Sequence, residues 1–341
     1  MKRRWLFWLL VIAFLVFVVS RLTEIGDLLD TLRRGQWEWV LAAVFAQMIY
    51  HVVYTGIFRS AFHVVNIESR VRDLLPVRFA ALFVNAVVPV ATLGGTALFM
   101  DDAAQRGESP SRAAGGVLIT LLADVAAFIP VMSVGLLYLG IQRVLRTYQL
   151  LTAFVVLSMT AGLGTLLLLG RREERLRSVL DWVRRLAARV AGWINRPPPL
   201  AEDWAEQNAA EFAAAATAVA EYPWRFVRTL GVALVAHLLN MLSLYLLIPA
   251  FYELVGVGPL VAGYAISLTF RFASITPQGV GVAEGVVVLA FESLGMPAAQ
   301  ATAVTLAFHG LSAWLPILTG FLVLRRLKTF RLAEPSGTET E

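Results

Sequence analysis

Ionisable side chains inside apolar segments are the first candidates for chemistry in this sequence. Asp124 lies within the apolar run Gly115–Ile141, with no cation close to it in the chain. Arg271 and Glu284 stand on either side of Thr276–Gly281, a stretch with one proline and two glycines. Placing such a group in a bilayer costs about 2.5–3.5 kcal/mol on insertion scales, so its presence indicates a function. We expect these three side chains to bind, pair or move charge.

Each of these residues also has a structural interpretation. Arg271 and Glu284 could form an ion pair that holds a hairpin closed. Alternatively, backbone N–H groups exposed beside Gly279 and Gly281 would suit a lipid phosphate, because the start of a helix attracts anions. Asp124 could cap a broken helix, bind a headgroup amine or carry a proton. The residues alone leave these alternatives open.

Uncharged polar residues in the apolar segments form a second group of candidates. Asn85 lies near Pro89 and could either satisfy backbone groups at that break or contact a substrate. His237, Asn240 and His309 could line a polar path, although such residues often only join neighbouring helices.

Several kinds of cofactor chemistry find no support in the composition. The chain has no cysteine and only four histidines, which excludes disulfides and thiolate zinc sites and argues against any metal site. No phosphate-binding Gly-x-x-x-x-Gly-Lys-[Ser/Thr] loop is present. We therefore expect no metal and no cofactor.

Hydrophobicity determines the elements that must position these residues. Of the 341 residues, 58% are hydrophobic and 16% charged, more apolar surface than a soluble domain could bury. The pattern predicts an all-α polytopic membrane protein with about six full spans, most of them close to the length a bilayer requires. The predicted spans are Trp5–Val19, Trp39–Phe58, Gly115–Ile141, Leu150–Gly170, Phe226–Phe251 and Ala301–Leu324.

Positive charge predicts the orientation, because short loops rich in Lys and Arg stay in the cytoplasm. Such clusters occur at residues 2–4, in a loop containing Arg59, Arg70, Arg72 and Arg78, at 171–196 and at 325–328. We expect both termini to be cytoplasmic, in the cell membrane. The net charge of +5 fits contact with anionic lipid rather than nucleic acid.

This orientation requires two segments that begin and end on the same side. Phe79–Met100 is broken by Pro89 and by Gly94-Gly95, and Leu260–Gly295 is broken by Pro277 and the glycines after it. Pro89 and Pro277 lie 188 positions apart, as do Gly107 and Gly295. We therefore predict two re-entrant hairpins in an inverted repeat within a single membrane domain, made of a first half (1–170), a cytoplasmic insert (171–223), a second half (224–330) and a disordered tail (331–341).

Two sequence blocks resemble a known family. The stretch from Pro277 to Glu284 is similar to the Pro-x-Gly-x-Gly-x-x-Glu signature of the lysylphosphatidylglycerol synthase-type transmembrane family of flippase-like integral membrane proteins. The block Asn85, Pro89, Gly94-Gly95, Gly107 to Ser109 and Asp124 resembles that family's other signature. Thr92, Leu121 and Ala283 stand where members often have basic residues, so Arg271 would supply more of any headgroup site.

The resemblance implies lipid handling without a covalent step. Members with a soluble aminoacyl-transferase domain make and translocate aminoacylated phospholipids; this chain lacks that domain, so translocation of a phospholipid or glycolipid headgroup is the leading hypothesis. One alternative is a non-catalytic partner of an enzyme of lipid or cell-envelope biosynthesis. Another is an intramembrane transferase, which would need aspartate clusters for magnesium beyond Asp101-Asp102. Association into a homo-oligomer is also compatible with the sequence.

Overall fold

Helices make up the regular structure of the described part of the chain. The computed structural model describes residues 22–87, 92–169, 204–253, 255–273 and 282–324, with short stretches between 177 and 189. This agrees with the predicted all-α class. The helices are α1 (Leu22–Arg34), α2 (Trp37–Val64), α3 (Val71–Val87), α4 (Thr92–Gln105), α5 (Pro110–Ile141), α6 (Thr147–Leu169), α7 (Trp204–Glu221), α8 (Pro223–Phe251), α9 (Val257–Ala273), α10 (Val282–Ser293), α11 (Ala298–His309) and α12 (Leu315–Leu324), with a π-helical turn, Gly310–Trp314, between the last two.

Five helical segments are long and apolar enough to cross a membrane. They are Trp37–Val64, Arg112–Ile141, Thr147–Thr165, Pro223–Phe251 and Ala298–Leu324. Each coincides with a predicted span, which confirms the multi-pass membrane fold. The sixth predicted span, Trp5–Val19, lies outside the described residues, as do the tail 331–341 and most of the insert before α7.

Both broken segments form pairs of short helices that pack on each other, α3 with α4 and α9 with α10. Asn85 Oδ1 accepts a hydrogen bond from the Gly95 N–H at 3.0 Å, which joins the first pair. A Cβ placed on Gly263 of α9 would lie 2.7 Å from the Phe291 ring of α10, so the second pair is also close. The longest of these helices has 17 residues. At 1.5 Å per residue it extends about 25 Å, less than the hydrocarbon core of about 30 Å, a length that fits the predicted re-entrant hairpins.

The chain repeats one arrangement of helices. A long helix, a hairpin of two short helices and a second long helix occur as α2 to α5 and again as α8 to α12. The contacts between the halves are reciprocal: the first hairpin arm α3 packs on α12, and its counterpart α9 packs on α5. The first helices of the two halves, α2 and α8, form the most extensive helix pair.

The two halves are inverted with respect to each other. Three hydrogen bonds join α2 to α8, and each pairs a residue near the start of one helix with a residue near the end of the other. These bonds are Gln36 N–H to Ala250 O (3.0 Å), Ser243 Oγ to Ala43 O (3.2 Å) and Arg225 Nη1 to His63 O (3.0 Å). The helices therefore run antiparallel, so the repeat that begins with α8 is inverted relative to the one that begins with α2.

Matched glycines close the second arm of each hairpin. Gly107 has a φ of +82° and Gly295 a φ of +95°, a backbone conformation that glycine adopts at least cost. After each glycine the next N–H bonds back five residues, from Glu108 to Ala103 and from Met296 to Phe291, both at 3.0 Å. This is the Schellman closure of a helix end. The two closures lie 188 positions apart, in the register the sequence predicted.

Glycine also permits the reciprocal contact of a long helix with a hairpin arm. A Cβ on Gly320 of α12 would overlap the backbone carbonyl of Phe79 in α3. In the other half, a Cβ on Gly135 of α5 would lie 2.6 Å from the Ala265 Cβ of α9. At both places the absence of a side chain lets two helices approach closely.

Candidate functional site

Asp124 of α5 lies between helices of both halves. Its carboxylate Oδ2 accepts a hydrogen bond from Tyr54 Oη of α2 at 2.9 Å. Oδ1 is 3.4 Å from Nε2 of His237 on α8. With 7% of its surface exposed, Asp124 is buried; the Tyr54 hydroxyl donates to Oδ2, whereas Oδ1 has no hydrogen-bond partner among the described residues.

His237 extends the hydrogen bonds into the second half. Its Nε2 is 2.9 Å from the Asp124 carbonyl oxygen, which can only accept, so this nitrogen bears the proton. In the neutral ring Nδ1 is then an acceptor, and it lies 3.2 Å from Tyr264 Oη of α9. Asn240 Nδ2, one turn along α8, donates to the same hydroxyl at 3.3 Å.

Arg78 occupies the corresponding place in the first half. It lies within α3 with only 4% of its surface exposed, so its predicted place in a cytoplasmic loop is wrong. Its Nη1 donates to His51 Nδ1 of α2 at 2.7 Å. Its guanidinium carbon lies 4.2 Å from the centre of the Tyr54 ring, a cation–π contact. Tyr54 therefore stands between the cation and the Asp124 carboxylate.

The same offset relates the polar side chains of the two halves. A separation of 27 residues joins His51 to Arg78, and the same separation joins His237 to Tyr264. The residue three positions after each histidine contacts the hairpin residue that the histidine contacts: Tyr54 lies against Arg78, and Asn240 bonds Tyr264. Adding 186 to His51, Tyr54 and Arg78 gives His237, Asn240 and Tyr264. We call these six residues together with Asp124 the polar cluster.

Buried charge at this position is costly. A well-packed apolar core is often as stable as a buried ion pair or more so, which means that stability alone does not explain Arg78 and Asp124. Unused hydrogen-bonding capacity lies in the cluster and one helical turn from it. Among the described residues, Asp124 Oδ1 and Asn240 Oδ1 of the cluster have no hydrogen-bond partner, and neither has either amide atom of Gln47, which is fully buried one turn before His51 on α2. Buried groups of this kind indicate where a polar ligand could bind.

Three residues predicted from the sequence, Asp124, His237 and Asn240, come together in this cluster. Asn85 instead bonds the backbone of Gly95, which begins the second arm together with Gly94, so its observed role is in closing the first hairpin. His309 ends α11 immediately before the π-helical turn and is half-buried. Pro89, Pro277, Gly279 and Gly281 lie outside the described residues, as do the side chains of Arg271 and Glu284.

Sequence reasoning missed His51, Tyr54, Arg78, Tyr264 and Gln47. Arg78 was grouped with loop arginines because it follows three of them. The sequence did contain a feature that could have identified His51. The offset of 188 positions between Pro89 and Pro277 differs by only two from the offset of 186 between His51 and His237.

Two comparisons with known proteins each match nearly the whole chain. The family model for the lysylphosphatidylglycerol synthase TM region matches residues 5–320. A UPF0104 membrane protein of Methanocaldococcus jannaschii is 22% identical over 326 residues, covering 94% of each chain. The match therefore includes both halves and the segment between them.

Proposed function

Since the chain belongs to the family of the lysylphosphatidylglycerol synthase TM region, we propose that it moves a polar or anionic lipid headgroup between the two leaflets. Membership places it among multi-pass membrane proteins related to lipid metabolism. The polar cluster is the observation that supports the finer statement. It puts one cation, one carboxylate and the unbonded Asn240 Oδ1 at the contact of two inverted halves, with the unbonded Gln47 amide one helical turn away, and transporters with inverted repeats bind their substrates at such a contact.

In this proposal the headgroup exchanges its water shell for the side chains of the cluster. Arg78 and Gln47 Nε2 would donate to a phosphate, while Asn240 Oδ1 would accept from a hydroxyl or ammonium group of the headgroup. The acyl chains stay in the bilayer throughout. No bond is formed or broken, so the protein is proposed to be a translocator and not an enzyme.

Reconstituted vesicles test the proposal. Fluorescent phospholipid and glycolipid reporters would be followed as they become accessible to an external quencher, with wild type compared to Asp124→Asn, Arg78→Gln and Glu284→Gln. Movement at least about tenfold slower in the first two variants is expected, since each removes a charge worth more than 1.4 kcal/mol in a dry site. Asp30→Asn, which alters an exposed carboxylate in α1, is the matched control.

Two results would contradict the proposal. Wild-type vesicles that move no reporter faster than protein-free vesicles would favour the partner or transferase alternatives. Movement that is unchanged in Asp124→Asn and Arg78→Gln would place the path away from the cluster.

A further inference from the structure

A second polar site lies at one end of the α2–α8 pair. A cavity of about 800 Å³ is bounded by the last turns of α2, the loop that follows it, the outer ends of the first hairpin and the start of α8. Its lining includes Arg59, Arg70, Arg106, Arg225 and Arg228. None of these belongs to the polar cluster, so this cavity is distinct from the site described above.

The charge of the cavity is strongly unbalanced. Among the described residues, five arginines line it, and the carboxylates in the lining are Glu68 and Asp73. Asp73 is already 3.5 Å from Arg72, a residue outside the lining, and Arg106 pairs with Asp102. A concave surface with excess positive charge concentrates anions from solution.

One arginine is fixed in place before any ligand binds. Arg225 Nη1 donates to His63 O at 3.0 Å and to Asn66 Oδ1 at 2.8 Å. Its guanidinium carbon also lies 4.1 Å from the centre of the Tyr222 ring. Arginine held in this way loses little conformational entropy when it binds an oxyanion.

Two further observations point to a ligand. Within the described residues, Ser69 Oγ of the lining is buried and has no hydrogen-bond partner. Trp224, also in the lining, is 77% exposed at the start of α8. Exposed tryptophan at the end of a span is typical of the level at which lipid headgroups lie.

We infer that this cavity binds a phosphate group, presented either by an anionic phospholipid or by a soluble phosphate compound. The site does not depend on the proposed translocation, because binding would occur in a protein that moves no lipid. Planar guanidinium groups match two phosphate oxygens at once, and Ser69 would supply one more donor.

Binding can be measured on the full chain in a neutral detergent. The melting temperature would be followed during titration with inorganic phosphate in one arm and with a soluble short-chain phosphatidylglycerol in the other, each against chloride at equal ionic strength. Short-chain phosphatidylcholine controls for binding of the acyl chains. Stabilisation by phosphatidylglycerol alone identifies a lipid headgroup as the source, and equal or stronger stabilisation by inorganic phosphate identifies a soluble anion.

Variants decide whether the cavity is the site. Arg59→Gln and Arg228→Gln should each raise the dissociation constant about threefold to tenfold, as expected for loss of one charge-assisted contact. Arg33→Gln makes the same charge change on an exposed residue of α1 that neither lines the cavity nor pairs with its lining, and it should change the constant less than about twofold. The inference is overturned if neither anion stabilises wild type beyond chloride, or if Arg33→Gln weakens binding as much as the other two.

Discussion

Asp124 links three helices through one hydrogen bond to its carboxylate and one to its backbone carbonyl oxygen. Tyr54 of the first half donates to the buried carboxylate, and His237 of the second half bonds the carbonyl oxygen, with its Nε2 3.4 Å from Oδ1. A hydrogen bond to a charged group contributes about 1.5–3 kcal/mol, more than a neutral one, because the buried charge has no water to replace it. The residue therefore affects stability as well as the proposed transport, and the two effects must be separated.

A double-mutant cycle measures the link between Tyr54 and Asp124. Tyr54→Phe should lower the free energy of unfolding by about 1.5–3 kcal/mol in wild type. In the Asp124→Leu background the same change should cost at least about 1 kcal/mol less, because its partner is already gone. Reversible unfolding in mixed detergent micelles gives these values. Tyr245→Phe, in the same pair of core helices, is the control; an equal cost of Tyr54→Phe in both backgrounds would contradict the link.

Part of this cluster could be predicted from the sequence. Asp124, His237 and Asn240 stand out because each is a polar residue in an apolar run. Arg78 does not, since it follows Arg70 and Arg72 and is easily counted as part of a cytoplasmic loop. Only the packing of α3 against α2 reveals that it is buried. Tyr54 and Tyr264 are common residues in membrane helices, and their hydroxyl partners depend on contacts distant in sequence.

The long helices contact the hairpin arms at glycine residues. Gly320 lies against the Phe79 backbone and Gly135 against Ala265. These contacts hold each hairpin arm on the opposite half of the molecule. The hairpins themselves were predicted from Pro89 and Pro277, whereas the glycine contacts were not, because a glycine inside an apolar helix has no sequence feature that identifies its neighbour.

Alanine at these glycines should destabilise the protein. Gly320→Ala and Gly135→Ala force extra atoms into closed contacts, and each should cost about 1–3 kcal/mol in unfolding free energy. Gly162→Ala in α6 is the matched control, because nothing lies within 4 Å of its added methyl. It should be neutral or stabilising by up to about 1 kcal/mol, since alanine favours helix. Wild-type stability in Gly320→Ala would show that α12 and α3 are farther apart than described.

The whole molecule is organised by the antiparallel contact of α2 with α8. Its hydrogen bonds pair Gln36 with Ala250 at one end and His63 with Arg225 at the other. The inverted repeat predicted from two proline and two glycine positions is therefore present in three dimensions. The sequence could predict the repeat because helix breakers leave a visible register, but it could not predict which helices of the two halves touch.

Cross-linking tests this pairing. The chain has no cysteine, so Ala43→Cys with Ser243→Cys introduces the only two thiols. They should form a disulfide with an oxidant, because Ser243 Oγ lies 3.2 Å from the Ala43 carbonyl oxygen. With a protease site added between 190 and 200, the two fragments should stay joined until a reductant is added. Ala43→Cys with Arg225→Cys, at the opposite end of α8, should not cross-link; if it does so equally well, the antiparallel register is wrong.

Helix α6 belongs to neither repeat, and this fact settles how one polypeptide contains two oppositely oriented copies. Each repeat crosses the membrane twice, and its hairpin begins and ends on one side, so the repeat starts and finishes on the same side of the membrane. A second copy that followed directly would therefore have the same orientation as the first. One additional crossing between the copies reverses the orientation of the second. Only 17% of the membrane-length segment of α6 is buried, compared with 39–67% in the other four described spans. The inversion of the second copy therefore depends on the described span that has the least contact with the rest of the protein.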